Sequence, residues 1–187
     1  GDPARSWGFA YNPQGVPDSK RDNFPGVAVS VTSATSHETS RVRSGDVNLF
    51  YRQFGRPGGR TPILIAHGLS YFSYDWIDAA SALAGDRMVV AADTRGFGDS
   101  DWSASKDYTV PTLAKDIVAI LDALGWQRVI LVGHSMSGRA SSLCAADNPA
   151  RVQGLALVDY TPENAPAGSK RVTETVAAQP DVWANVD

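Results

Sequence analysis

The sequence predicts an α/β fold, a mainly parallel sheet with helices packed on both of its faces. Two observations carry this prediction. From Thr61 onward, short apolar runs alternate with stretches whose apolar residues recur at helical spacing, the pattern of successive βαβ units. The runs are also continuously apolar rather than alternating, as strands covered on both faces must be.

In chain order, residues 1–36 are rich in Gly, Pro, Ser, Thr and charge, with Trp7, Phe9, Tyr11 and Phe24 scattered among them. They form an irregular arm whose aromatics pin it to the domain surface or to a partner, and Ser30 to Ser40 reads equally as linker or edge strand. Glu38 to Arg43 and Val47 to Phe54, separated by Ser44-Gly45-Asp46, predict a β-hairpin with a glycine-bearing turn. Thr61-Pro-Ile-Leu-Ile-Ala-His67-Gly68-Leu69 reads as a buried strand ending in His-Gly, followed by a helical stretch from Asp75 to Leu83. Arg87 to Asp93 is a second short strand, running into Thr94-Arg95-Gly96-Phe97-Gly98-Asp99-Ser100. The clearest helix spans Val110 to Leu124. Leu113, Ile117, Ile120, Leu121 and Leu124 form its core stripe, Thr109 is its expected N-cap, Pro111 falls in its first turn and Gly125 stops it. Arg128 to Val132 is the next strand, Met136 to Asn148 a helix ending before Pro149, and Val152 to Asp159 a further strand. Residues 161–187 are Pro/Ala-rich and helical in places, and no internal repeat interrupts the series.

At 187 residues the chain is long enough for one domain with a sizeable core, here residues 37–160. Its formal net charge of −3 offers no basic stripe for a phosphate backbone, so nucleic acid is not an expected partner. Nor is a membrane, because no apolar run approaches bilayer length and the N-terminus lacks the pattern of a signal peptide. The single cysteine, Cys144, falls on the helix after Ser135 and reads as packing, and the expected setting is reducing and cytoplasmic.

Gly133-His134-Ser135-Met136-Ser137-Gly138 stands where an apolar strand meets a helix. A strand that turns abruptly into a helix holds the turn residue in a strained conformation and lifts its hydroxyl clear of the sheet, which gives Ser135 reason to be a nucleophile. The close passage of strand and helix demands small residues two before and two after it, here Gly133 and Ser137. The usual pattern has glycine at the second of these positions; serine is nearly as small, and Gly138 follows.

An apolar strand ending in His67-Gly68, a strand followed by D-x-R-G-x-G-x-S at Asp93 to Ser100, and a strand followed by G-H-S-M-x-G at Gly133 to Gly138 come in that order. Together they resemble the α/β-hydrolase superfamily over residues 40–160. The resemblance implies that the hairpin supplies the first two strands, antiparallel, and that 161–187 begin a cap inserted after the sixth strand. It implies serine-hydrolase chemistry, with an oxyanion hole made by the backbone amides of Leu69 and Met136. An apolar side chain at Leu69 is compatible with this role because the donor is main chain.

In that superfamily the order is nucleophile, acid, histidine, but the three histidines here, His37, His67 and His134, all precede Ser135. His134 is expected to pack under the bend rather than serve as base, and His67 to brace its loop. Asp159, ending the sixth strand, is the candidate acid, although an aspartate at that strand end is commonly structural. Asp93, Arg95 and Ser100 are expected to fix their loop by charge pairing and hydrogen bonds while Gly96 and Gly98 allow its tight turn. No ligand spacing recommends a metal site at Asp93, Asp99 and Asp101, and no cofactor is expected. The expected partners are a small-molecule substrate and a C-terminal segment or chain that completes the fold and carries the histidine. Exchange of the open sheet edge with a second copy, giving a homo-oligomer, stays open.

Among substrates, a serine at the bend disfavours the dehalogenase and epoxide hydrolase branches, which use aspartate there. Esters and lactones rank first, with amides and carbon-carbon bonds beside a ketone remaining. Arg139 meets a substrate carboxylate or, more ordinarily, pairs on the helix surface. The alternative from another class is a non-catalytic ligand sensor or assembly subunit on the same fold.

Overall fold

The structure, a computed structural model, describes residues 36–160 together with 170–171, 174–175 and 177–178. The expected arm over 1–36 and cap segment over 161–187 therefore lie almost wholly outside the described residues. Within the second of these, residues 170–171, 174–175 and 177 are helical, with Lys170 Nζ 3.8 Å from the Glu174 carboxylate one turn on.

Ten elements build the unit over 36–160, in the order the apolar runs dictate. They are β1 (Glu38–Ser44), β2 (Val47–Phe54), β3 (Ile63–Ala66), a 3-10 turn (Ser73–Trp76) leading into α1 (Ile77–Leu83), β4 (Val89–Ala92), α2 (Val110–Ala123), β5 (Val129–His134), α3 (Met136–Asp147) and β6 (Val152–Val158). The strands form one sheet in the order β1-β2-β4-β3-β5-β6. β2 is antiparallel to both of its neighbours, while β4, β3, β5 and β6 are mutually parallel, so the sheet is mainly parallel as predicted. The hairpin register places Ser44 opposite Val47, with Gly45 at φ +57° in the two-residue turn where a left-handed backbone is required.

Alternation along each strand divides the core into two layers. Leu64, Val90, Leu131, Leu113, Ile117, Leu121 and Cys144 pack together on the side of α2 and α3. Ile63, Ile65, Val89, Ala91 and Ala80 pack on the side of α1, with Trp76 and Ile77 against them. β6 is the exception to this coverage. It pairs with β5 and leaves Leu155 and Val158 each 38% exposed.

α2 ends as expected. Gly125 stands at φ +66°, its N–H bonds the Asp122 carbonyl and that of Trp126 bonds the Leu121 carbonyl, the paired closure that satisfies a helix C-terminus. Its start differs from expectation. Thr109 has the extended backbone of an N-cap, but its side chain makes no capping bond. The Asp107 carboxylate competes for it instead, accepting the Thr109 N–H and hydroxyl and the Thr112 hydroxyl, and these donors hold its carboxyl down to about 2.

Two buried polar devices fix the loops after β3 and β4. Arg95 is 2% exposed and meets Asp116 of α2 in a fork, Nε and Nη2 donating at 2.6 and 2.7 Å. His67 is fully buried. Its Nε2 accepts the Thr94 N–H at 2.9 Å, so Nδ1 carries the ring proton and donates to the Gly68 carbonyl at 2.7 Å. Burial pushes the basicity of this imidazole below its ordinary value, favouring the neutral form that this pairing needs.

Replacing Asp116 by Leu removes the forked partner of a buried guanidinium and leaves it Asp46 at 3.4 Å and the Asp107 carbonyl at 3.1 Å; it is expected to cost about 3 kcal/mol, whereas the double replacement Arg95→Met with Asp116→Leu recovers most of it, and urea unfolding of the three proteins measures both. The folded pKa of His67 lies below its unfolded value of 6.5, so the native state binds fewer protons below that pH. The stability that this group contributes is therefore present above pH 6.5 and is lost as pH falls beneath it; urea midpoints measured from pH 7.5 to 5 read this slope.

Candidate active site

β5 stops at His134 and α3 starts at Met136, leaving a single residue to turn the chain. That residue, Ser135, takes φ +47° and ψ −110°, a left-handed backbone that costs a residue with a Cβ and persists where its surroundings over-determine it. The surroundings are visible. The Ser135 N–H donates to the Val158 carbonyl of β6 at 2.9 Å, and its own carbonyl accepts the Gly138 N–H at 2.9 Å as α3 begins.

The predicted crowding is real, though its distribution differs from expectation. A Cβ on Gly133 would lie 2.6 Å from the Ser141 hydroxyl and 2.9 Å from the Ser137 carbonyl, so strand and helix leave no room for one. Ser137 is buried at 2% exposure and tolerates its side chain. Gly138 has no such room, since a Cβ there would meet the Tyr160 ring at 2.5 and 2.7 Å and the Tyr160 Cβ at 2.8 Å. The helix is therefore crowded at two successive positions, by the strand at Ser137 and by Tyr160, two residues after β6, at Gly138.

The loop after β3 lies directly against the bend. A Cβ on Gly68 would stand 3.1 Å from the Ser135 Cβ and 2.7 Å from His134 Nδ1. The Gly68 carbonyl accepts two bonds, from His67 Nδ1 at 2.7 Å and from the Tyr71 N–H at 3.2 Å. The same peptide plane carries the Leu69 N–H, which points away from that carbonyl; pinning one end of the plane therefore aims the other. Ser70 follows at φ +64°, and the Leu69 side chain is 38% exposed. Leu69 and Met136 thus stand on the two segments that meet at Ser135, one on the loop and one on the first turn of α3, where unpaired N–H groups and the helix dipole favour negative charge.

His134 does not pack idly under the bend. Its Nδ1 accepts the Gly68 N–H at 3.1 Å, and its ring meets Tyr71 and Trp76 edge to face. The sequence signal for this was the density of aromatics from Tyr71 to Trp76 beside a glycine, a pattern that spacing rules for helices and strands do not weigh. His37 is distant in role as well as sequence, its ring tilted against that of Phe54 and hydrogen-bonded to Arg52. Asp159 is exposed at φ +50°, directly after the residue whose carbonyl holds the Ser135 amide.

The second motif is a scaffold. Asp93 is 1% exposed and accepts the backbone amides of Ser73 and Asp99, while Ser100 donates to the Asp93 carbonyl and accepts the Phe50 N–H. Gly96 and Gly98 stand at φ +79° and +53°, the latter so close to the Asp93 carboxylate that a side chain is excluded. Asp101 turns to Asn48 instead. Among the described residues no group of three or more His, Cys, Asp or Glu is placed to hold a metal ion. Cys144 is 1% exposed, and burial raises its thiol to about 11, which suits packing. A cavity of about 20 Å³ between the sheet and α2, lined by Leu64, Leu113, Ile117 and Ala140, has room for a single water and not for a substrate. No described helix is long and apolar enough to cross a membrane.

Epoxide hydrolase 4 of Mus musculus is 29% identical to this chain over 137 residues, which are 73% of the chain and 38% of that protein. The 3-hydroxybutyrate-oligomer hydrolase of Cupriavidus necator is 34% identical over 123 residues, 65% of the chain and 42% of that protein. A crystal structure of an alpha/beta hydrolase from Novosphingobium aromaticivorans superposes with a TM-score of 0.71 at 33% identity, covering 78% of this chain and 52% of that one. The chain thus spans less than half the length of these curated relatives and about half that of the solved structure. A family model described as alpha/beta hydrolase fold matches residues 61–185, from β3 through β6 and beyond, and together with the sheet order and the strand-to-helix bend this places the chain in the alpha/beta hydrolase family.

Proposed function

We propose that the protein is a serine hydrolase that opens a small carboxylic ester or lactone through an acyl-enzyme on Ser135, working in a reducing, cytoplasmic setting. The observation that carries this reading is the left-handed Ser135 at a one-residue bend, with the Gly68 backbone packed against its Cβ. In this reading the Ser135 hydroxyl loses its proton to an imidazole as Oγ attacks the carbonyl carbon. The Leu69 and Met136 amides take the negative oxygen, and the alkoxide leaves with the proton. Water then cleaves the acyl-serine by the same route in reverse.

Chemistry favours this over the epoxide opening for which several relatives are named. Serine attack on an epoxide carbon leaves an alkyl ether, which water does not cleave, whereas attack on a carbonyl leaves an ester, which it does. The base comes from a partner segment or chain. His67 has both nitrogens committed, His134 spends Nδ1 on Gly68, and His37 sits with Arg52. Asp159 is the carboxylate this reading assigns to orient the incoming imidazole.

That same absence of a placed imidazole among the described histidines favours a second reading, a ligand sensor that binds without turnover. Incubating the protein at its full natural length with a fluorophosphonate and weighing it intact separates the two. A single adduct mapped to Ser135, abolished by Ser135→Ala, is the expected outcome; a folded sample that takes up no label sinks the enzyme reading and leaves the sensor.

A further inference from the structure

The oxyanion donors in the proposed reaction lie on two segments distant in sequence, Leu69 on the loop after β3 and Met136 on α3. Their separation therefore depends on whatever fastens that loop to the bend at Ser135. His134 is the last residue of β5 and immediately precedes Ser135. Across a sequence separation of 66 residues, its Nδ1 accepts the Gly68 N–H at 3.1 Å. The ring is held by edge-to-face contacts with Tyr71, at a centroid distance of 5.1 Å, and Trp76, at 5.8 Å. Both aromatics belong to the segment that the loop leads into, so the ring is gripped from the side it fastens. A Cβ on Gly68 would fall 2.7 Å from Nδ1 and 2.9 Å from Cε1, which makes the absence of a side chain at 68 a condition of this contact.

The bond has two effects. It commits the Gly68 amide, which removes that N–H from the set of possible oxyanion donors. It also fixes the peptide plane before Gly68, while the Gly68 carbonyl bonds to His67 and Tyr71 fix the plane after it. With both planes held, the Leu69 N–H keeps one direction relative to Ser135.

We propose that His134 is a positioning residue for oxyanion stabilisation: by accepting the Gly68 N–H it sets the distance between the Leu69 and Met136 donors. This rests on the serine-hydrolase reading of Ser135. The role requires an acceptor at the δ position of residue 134 and no proton transfer, so asparagine, whose Oδ1 occupies that position, replaces histidine and leucine does not.

Two measurements on the protein at its full natural length test it. In uniformly 15N-labelled protein, a through-hydrogen-bond coupling between the Gly68 amide nitrogen and His134 Nδ1 is expected. In stopped-time labelling with a fluorophosphonate, His134→Leu is expected to slow the chemical step at Ser135 by about 10- to 100-fold, less than outright loss of one oxyanion donor because the Leu69 amide is displaced and not removed, with inhibitor affinity and final labelled fraction unchanged. His134→Asn is expected to label close to the wild-type rate. A protein that is merely misfolded loses labelled fraction instead, which sets a structural role apart. Labelling of His134→Leu at the wild-type rate overturns the proposal, as does an Asn variant no better than Leu. Absence of the coupling while wild-type Ser135 still labels overturns the proposal alone. Coupling present with wild-type Ser135 inert overturns the serine-hydrolase reading and, with it, the catalytic purpose of His134.

Discussion

The constraint on which the rest of the site depends is the one-residue turn between β5 and α3. A left-handed serine is disfavoured by its own side chain and survives because hydrogen bonds on both sides leave it no alternative: the Val158 carbonyl holds its amide and the first turn of α3 takes its carbonyl. Gly133 yields the space, and the Gly68 backbone closes against the Cβ from the opposite side. Each neighbouring feature is a condition for this bend or a result of it. The parallel register of β3 with β5 pairs Ala66 with Gly133, which brings the following His67-Gly68 alongside His134-Ser135. Two loops that meet at the carboxyl ends of adjacent parallel strands form a cleft, and this sheet builds its candidate site there.

Behind that cleft lies an unusual concentration of buried polar groups. His67, Asp93, Arg95, Ser100 and Asp116 are all at or below 5% exposure, and each meets a partner across the loops they bind. Buried polar groups are costly when left unsatisfied and add little net stability even when paired, so their contribution here is geometric. They hold irregular backbone in one arrangement where no helix or strand ladder is available. Asp93 is the clearest case, since its carboxylate takes the place of a secondary-structure partner for amides at Ser73 and Asp99 on two different segments.

Much of this is legible in the sequence because it follows from local rules. Continuous apolar runs mark β3, β4 and β5 to within two residues of their bounds, and the stripe from Leu113 to Leu121 with its terminal Gly125 marks α2. Glycines that need a left-handed backbone mark the turns at 45, 96, 98 and 125. The features that are not legible are those in which another residue supplies the decisive atom. Thr109 has the right identity for a cap, but Asp107 competes for its hydroxyl. Ser137 is expected to bear the crowding, yet it is Gly138 that meets Tyr160, and only the path of the chain after β6 reveals that. His134 reads as packing because adjacent side chains at a bend diverge. The divergence is correct, and it is what carries the ring to Gly68.

The contact between Gly138 and Tyr160 has a consequence for how this sequence can change over time. The atoms in conflict are the root of the ring and its Cβ, which no change of rotamer at a distant tip can withdraw. Positions 138 and 160 therefore form one heritable unit. Descendants of this chain that acquire a methyl group at the first are expected to carry glycine at the second, or a shifted backbone there, and the order of the two changes is constrained, with the change at 160 coming first.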